Sequence, residues 1–345
     1  MYSFIFIFIL LSFFGLLLNI RSQSSRYIYI FFIFLFLMAY AVIREIDFTS
    51  DTLAYSRNFI KYGTMSWNNL LQNSINITIK DPLFWIFTKL IYSLGFSVKA
   101  WFFIISAIFS VLFSATIVKY SKDIALSFIL LIALDYYYFS LTGLRQAIAL
   151  AIIFYSWRYI ESNQNIKFIV FVLIASMFHI SALIALIILF LKNKKFKIQK
   201  LVLIPIIIIV MYFITPLIVV VLNQFLPTNY QFYINSRITL NLSGFFIQLV
   251  ILIFAYLFSS DILKKDKSNN ILFNILYIGL FLQLLATFLF AEFFRISYYF
   301  SVFALILVPN VIATSKSNRL VLKYAVAITL ILYFLLSTSD FLLLY

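Results

Sequence analysis

Long unbroken apolar runs dominate the chain, in place of the alternating pattern of half-buried strands. A helix of about 20 apolar residues is enough to cross the hydrocarbon core of a bilayer. Scanned on that basis, the sequence predicts spanning helices near 2–20, 27–43, 99–118, 124–141, 145–160, 201–222, 243–260, 271–290, 297–314 and 324–340. Residues 82–95 are shorter and contain Lys89, which fits a tilted span or a re-entrant helix. Residues 168–191 are interrupted by His179 and Ser181, and read either as one long helix or as two half-helices meeting near the histidine. The expected fold class is an all-α polytopic integral membrane protein, with about ten spanning helices and one or two re-entrant half-helix segments. Residues 1–345 then form a single transmembrane domain, and 44–81 is its longest loop. In that loop Thr49-Ser50-Asp51 reads as a helix N-terminus leading into Thr52–Tyr62.

Composition supports the same class. Hydrophobic residues make up 65% of the chain and charged residues 11%, where soluble domains carry about 25% charge. So few charges could not cover a water-exposed surface. Cysteine is absent, which removes disulfides, Cys-ligated metals and thiol nucleophiles together. His179 is the sole histidine and builds no His-rich metal site, so neither metal nor cofactor is expected. The opening residues, Met1 to Ile20, lack a basic n-region and a small-residue cleavage site, so they read as a first membrane helix and not as a removable signal peptide.

The net charge of +15 would suggest nucleic acid in a soluble protein. Here the excess of cations in cytoplasmic loops accounts for it, and no nucleic-acid partner is expected. The loops 192–200 and 261–270 are lysine-rich and read as cytoplasmic. If both uncertain stretches are re-entrant, 17 of the 26 Lys and Arg fall inside, against 15 if both are full spans. The re-entrant topology is therefore preferred. It leaves nine cations outside, five of them arginine: Arg44, Arg57, Arg145, Arg237 and Arg295. Lysine suffices to fix topology, whereas the planar fork of arginine suits bidentate binding of phosphate or carboxylate. The outer face is the expected working face.

Ionisable groups in or beside membrane helices are costly and are functional candidates. Arg44, Glu45 and Asp47 sit at the outer end of the second span, followed by Asp51 and Tyr55, which share a helix face four residues apart. Asp135 lies in an apolar run, about 10 Å below the turn at 142–144, with Arg145 as its nearest plausible cation. Arg145 and Gln146 open the next helix, where a cation opposes the helix dipole unless an anion is present. His179 lies where a re-entrant hairpin would turn, and Glu292, Arg295 and Tyr299 lie in and after a short outer loop. Cations, carboxylates, one imidazole and many tyrosines on one side suit a substrate that combines phosphates with sugars.

Arg44…Asp51-Thr52-x-x-Tyr55, Asp81-Pro82-x-Phe84, Arg145-Gln146-x-x-Ala149, Phe178-His179-x-Ser181 and Arg295-x-x-x-Tyr299, in this order, resemble the Wzy-type polysaccharide polymerases of the EpsG kind. Thr49-Ser50 stands where that pattern has a glycine, and Leu83 follows Asp81-Pro82 in place of another. The resemblance implies a GT-C-like membrane glycosyltransferase in the bacterial inner membrane, acting at the periplasmic face. A glycan on undecaprenyl diphosphate would pass to an incoming lipid-linked repeat unit. The partners implied are undecaprenyl-diphosphate-linked oligosaccharide, membrane lipids and a chain-length regulator protein. Arg145, Arg295 and Arg44 would then hold the diphosphate, and Gln146, Tyr55, Asp135, Glu292 and Tyr299 would line the substrate site. Asp51 or Asp47 would take the acceptor proton, with His179 as a competing base or an orienting partner. The alternative is a transporter or flippase of lipid-linked oligosaccharide, whose midplane helices are often broken by Gly and Pro. Six Gly and five Pro in 345 residues are few for that.

Overall fold

The computed structural model describes all residues except Met1, 18–22, 46–48, Ile77, Asn193, 226–241, 260–266, 289–292 and 343–345. Among the described residues, every regular element is helical. Five helical stretches are long and apolar enough to cross a bilayer: Ser24–Ile43, Val98–Tyr120, Asn269–Phe288, Phe293–Thr314 (two successive helices) and Arg319–Leu336. In the described spans the backbone polar groups are satisfied inside helices, as a hydrocarbon environment demands.

The chain divides into two compact units. The first comprises Met1–Leu186 and Ser317–Tyr345, the second Ile187–Lys316. In the first unit, helices α1 (Tyr2–Leu17) and α2 (Gln23–Ile43) are followed by α3 (Ser50–Thr64), α4 (Trp67–Ile75) and α5 (Pro82–Ser93). Then come α6 (Val98–Tyr120), α7 (Ile124–Ala133), α8 (Tyr136–Thr142), α9 (Leu144–Glu161), α10 (Asn165–Phe178) and a 3₁₀ helix, Ile180–Leu186. The long helix Arg319–Leu342 completes this unit and packs on α7. Helix α9 lies at the centre, packed by α6 and α10, and Ala147, Leu150, Ala151, Ile153 and Phe154 are buried around its circumference. A helix apolar on all sides requires that central place.

The second unit contains Ile187–Leu191, Leu203–Phe225, Ser243–Phe258, Lys267–Phe288, Phe293–Ser301 and Ala304–Thr314. Helix Lys267–Phe288 packs on Ser243–Phe258, Phe293–Ser301 and Ala304–Thr314.

One predicted span comes out differently, and the two uncertain stretches are divided or short. The expected single span over 124–141 is two helices bent by 52°. The break falls at Asp135, which sits in the left-handed region at φ 62°. The run 168–191 is divided at His179, whose extended backbone (φ −159°, ψ 118°) ends α10. Because the 3₁₀ helix packs on α10 as well as α9, the chain turns there, which selects the half-helix alternative. Residues 82–95 contain only α5, whose 12 residues reach about 18 Å at 1.5 Å per residue, short of the ~30 Å core.

Candidate functional site

The loop after α2 is built by local capping. Thr49 caps α3 by accepting from the Thr52 N–H, and the Thr52 hydroxyl in turn accepts from the Thr49 N–H at 2.9 Å, so the predicted N-terminus is present. Ser66 caps α4 in the same way by accepting from the Asn69 N–H. Helix α3 then packs on α5 so closely that a Cβ on Gly63 would lie 2.3 Å from Cγ of Tyr92. The Gly63 carbonyl accepts from the buried Nζ of Lys89 at 3.0 Å. The charge in α5 is thus spent on holding two helices together.

Asp81 precedes Pro82, the first residue of α5, and has φ 58° and ψ 58°. Proline disfavours the right-handed helical region for the residue before it. The left-handed alternative carries about 1–3 kcal/mol of strain for a non-glycine residue. In this conformation the side chain makes no capping bond to its own helix and reaches other elements instead. Asp81 Oδ2 accepts from Nη1 of Arg145 at 2.7 Å and lies 3.1 Å from Nδ1 of His179. Oδ1 accepts from the Ile180 N–H at 3.1 Å. One carboxylate therefore fastens the start of α9 and the turn after α10 to the start of α5.

Its side chain is 3% exposed, against 30% for Arg145 and 26% for His179. Burial pushes the Asp81 carboxyl up, but the His179 hydrogen bond and charge, the Arg145 charge and the Ile180 N–H outweigh it and hold it below the usual carboxylate range. An ionised carboxylate can only accept, so Nδ1 of His179 carries the shared proton. In the neutral form of that imidazole the lone pair is then on Nε2.

Arg145 donates through Nε to the Tyr55 hydroxyl at 3.3 Å, and its guanidinium lies 5.9 Å from the Tyr55 ring centroid and 5.8 Å from that of Trp85. Tyr62 stacks on Trp85 at 4.2 Å, and Phe59, Phe84 and Trp101 close the aromatic base beneath Tyr55. The guanidinium is fixed at two nitrogens and retains Nη2 for a further acceptor.

The predicted candidates are distributed as follows. Arg145, His179 and Tyr55 come together; Asp81, which unites them, appears in the sequence reading only as part of the Asp81-Pro82 motif. The expected partnership of Arg145 with Asp135 is not made: Arg145 pairs with Asp81, while Asp135 sits at the bend between α7 and α8. Arg44 is buried, donates to the Leu141 carbonyl at the end of α8, and lies 4.5 Å over the Phe102 ring. It therefore braces the corner from which α9 starts. Asp51 lies in the first turn of α3, half-buried, one turn before Tyr55, and Gln146 is buried on α9. In the second unit, Arg295 is exposed and Tyr299 buried on helix Phe293–Ser301. Asp47 and Glu292 lie outside the described residues.

Among the described residues, no three of His, Asp and Glu gather to hold a metal ion. Asp81 and His179 offer two donor groups, but Arg145 already occupies the same carboxylate oxygen, and a metal there would face a cation. What the cluster provides is one anchored cation for an anionic group, beside one oriented imidazole.

Neither curated proteins nor solved structures yield a match to this chain. The model of the EpsG family matches residues 27–345, which include every residue of the Asp81 cluster. This membrane protein, with Arg145 and His179 gathered on one buried carboxylate, belongs to the EpsG family.

Proposed function

We propose that the protein is a polysaccharide polymerase that extends a glycan carried on undecaprenyl diphosphate, at the periplasmic face of the bacterial inner membrane. Family membership supports the polymerase-like activity. The observation that carries the mechanism is the single Asp81 carboxylate shared by Arg145 and His179. In the reaction, the acceptor hydroxyl of an incoming lipid-linked unit attacks the anomeric carbon of the nascent chain. The glycosidic bond forms, the bond from that carbon to the diphosphate oxygen breaks, and polyprenyl diphosphate leaves. His179 Nε2 receives the acceptor proton, with Asp81 holding Nδ1–H. Arg145 neutralises charge developing on the diphosphate through its remaining donor edge. His179 is preferred to Asp51 as base because its tautomer is set by a partner. The shorter apolar helices Ile5–Leu16, Leu203–Ile218 and Ser243–Phe258 are read as further spans of a GT-C-like chain that crosses about ten times.

The test is complementation of a strain lacking the gene, followed by electrophoresis of its surface polysaccharide. Arg145→Ala is expected to give the single-repeat product without the ladder. Long polymer in that variant overturns the assignment. Loss of every surface band, with lipid-linked units retained inside, would indicate a flippase instead.

A further inference from the structure

Helix α4 (Trp67–Ile75) has two unlike faces. Trp67, Leu71 and Ile75 are four residues apart and share one stripe, with exposures of 41%, 43% and 78%. Leu70, at one edge of that stripe, is fully buried, and α4 packs on α5. Asn69, Gln72, Asn73 and Asn76 occupy the opposite arc, and Asn68 lies beside Ile75. The protein thus grips one edge of the helix and leaves its apolar stripe uncovered. No spanning role is open to nine residues, which cover about 14 Å.

We propose that α4 lies in the lipid–water interface on the side of the Asp81 cluster, with Trp67, Leu71 and Ile75 immersed among acyl chains and the asparagine face in water. Charge complementarity identifies the occupant. Residues 52–80 contain Arg57, Lys61 and Lys80, all exposed, and no Asp or Glu, which matches the phosphates of a leaflet surface. Helix α5, on which α4 rests, also exposes Leu90, and Leu94 follows it exposed, so both elements present apolar side chains. Trp67 has the place of an interfacial indole: its ring lies 5.0 Å from the Lys89 ammonium while remaining partly exposed. The consequence is a site whose α5 wall is held at the depth where a polyprenyl diphosphate headgroup emerges from the bilayer.

The absence of cysteine makes the test direct. Single variants Asn69→Cys, Leu71→Cys, Gln72→Cys and Ile75→Cys of the full chain carry a nitroxide and are reconstituted into vesicles of phosphatidylethanolamine and phosphatidylglycerol. Collision with oxygen, which concentrates in acyl chains, is compared with collision with a water-soluble nickel chelate. The oxygen-to-nickel ratio at 71 and 75 is expected to exceed that at 69 and 72 several-fold. Equal, nickel-dominated ratios at all four positions would mean an aqueous helix and overturn the proposal. Immobile labels at 71 and 75, shielded from both reagents, would mean that protein covers the stripe and overturn it too.

Discussion

Asp81→Asn separates the structural work of the carboxylate from its chemical work. Asparagine tolerates the left-handed backbone as aspartate does, and its Oδ1 still accepts from the Ile180 N–H, so the turn before Pro82 is retained. What changes is the atom facing Arg145 and His179, now an amide N–H donor. Arg145 loses its counter-charge. For a fully buried pair, removing one partner costs about 3–5 kcal/mol. With Arg145 at 30% exposure, solvent screening lowers this to about 2–3 kcal/mol. The amide N–H also favours the His179 tautomer with its lone pair on Nδ1, which puts the proton on Nε2 and removes the base. Loss of general-base action is worth about 10²- to 10⁴-fold in rate. The assay is extension of lipid-linked units by the purified protein in vesicles, alongside thermal unfolding. Asp81→Asn should lower both stability and rate. His179→Gln should lower the rate by a comparable factor with a smaller loss of stability. Because the two residues act as a unit, the double variant should be no slower than the slower single one. Multiplicative rate losses, or an Asp81→Asn protein within a few-fold of wild type, would break the dyad argument.

Three further outcomes are expected. Arg145→Lys keeps a cation opposite Asp81 but has no Nε for the Tyr55 hydroxyl, so the protein should remain folded while extension slows by about 10²- to 10³-fold, the effect of losing a fixed donor at a developing charge; polymer length and rate check it. The Asp81 carboxyl titrates below its usual value, so its stabilisation is complete above the unfolded pKa of about 3.9 and is lost as pH falls through the lower folded value; unfolding midpoints should fall more steeply below about pH 4 for wild type than for Asp81→Asn. Gly63→Ala places a Cβ against the Tyr92 ring, which cannot swing away as a flexible chain end could, so α3 and α5 must part; a loss of about 1–3 kcal/mol is expected from thermal unfolding.

Much of the helical layout is legible in the sequence because hydropathy is summed locally. The run 27–43 lies within Gln23–Ile43, and 99–118 within Val98–Tyr120. The helix start at Thr49 is equally local, since its capping partner is three residues away. Asp135 is where this reasoning fails. An average over 124–141 registers one acidic residue as a small dip, whereas the backbone registers it as a left-handed residue and a 52° bend. Hydropathy carries no information about φ. The break at His179 is legible because His179 and Ser181 together interrupt an apolar run.

At the site, the sequence asked for an anion without naming it. Arg145 near a helix N-terminus is unfavourable alone, and the nearest carboxylate along the chain is Asp135, ten residues earlier. The anion that answers is Asp81, 64 residues away. Its type also concealed it. An aspartate before a helix is ordinarily read as an N-cap, with its oxygen engaged by the N–H groups of its own first turn. Asp123 does this, accepting from the Leu126 N–H at 3.1 Å. Asp81 differs because its left-handed backbone turns the carboxylate away from the helix it precedes, and the Phe84 N–H donates to the Asp81 carbonyl instead. A helix-start aspartate turned away from its own helix in this way is available to a distant cation. Here that distant cation is Arg145, and the same carboxylate orients His179.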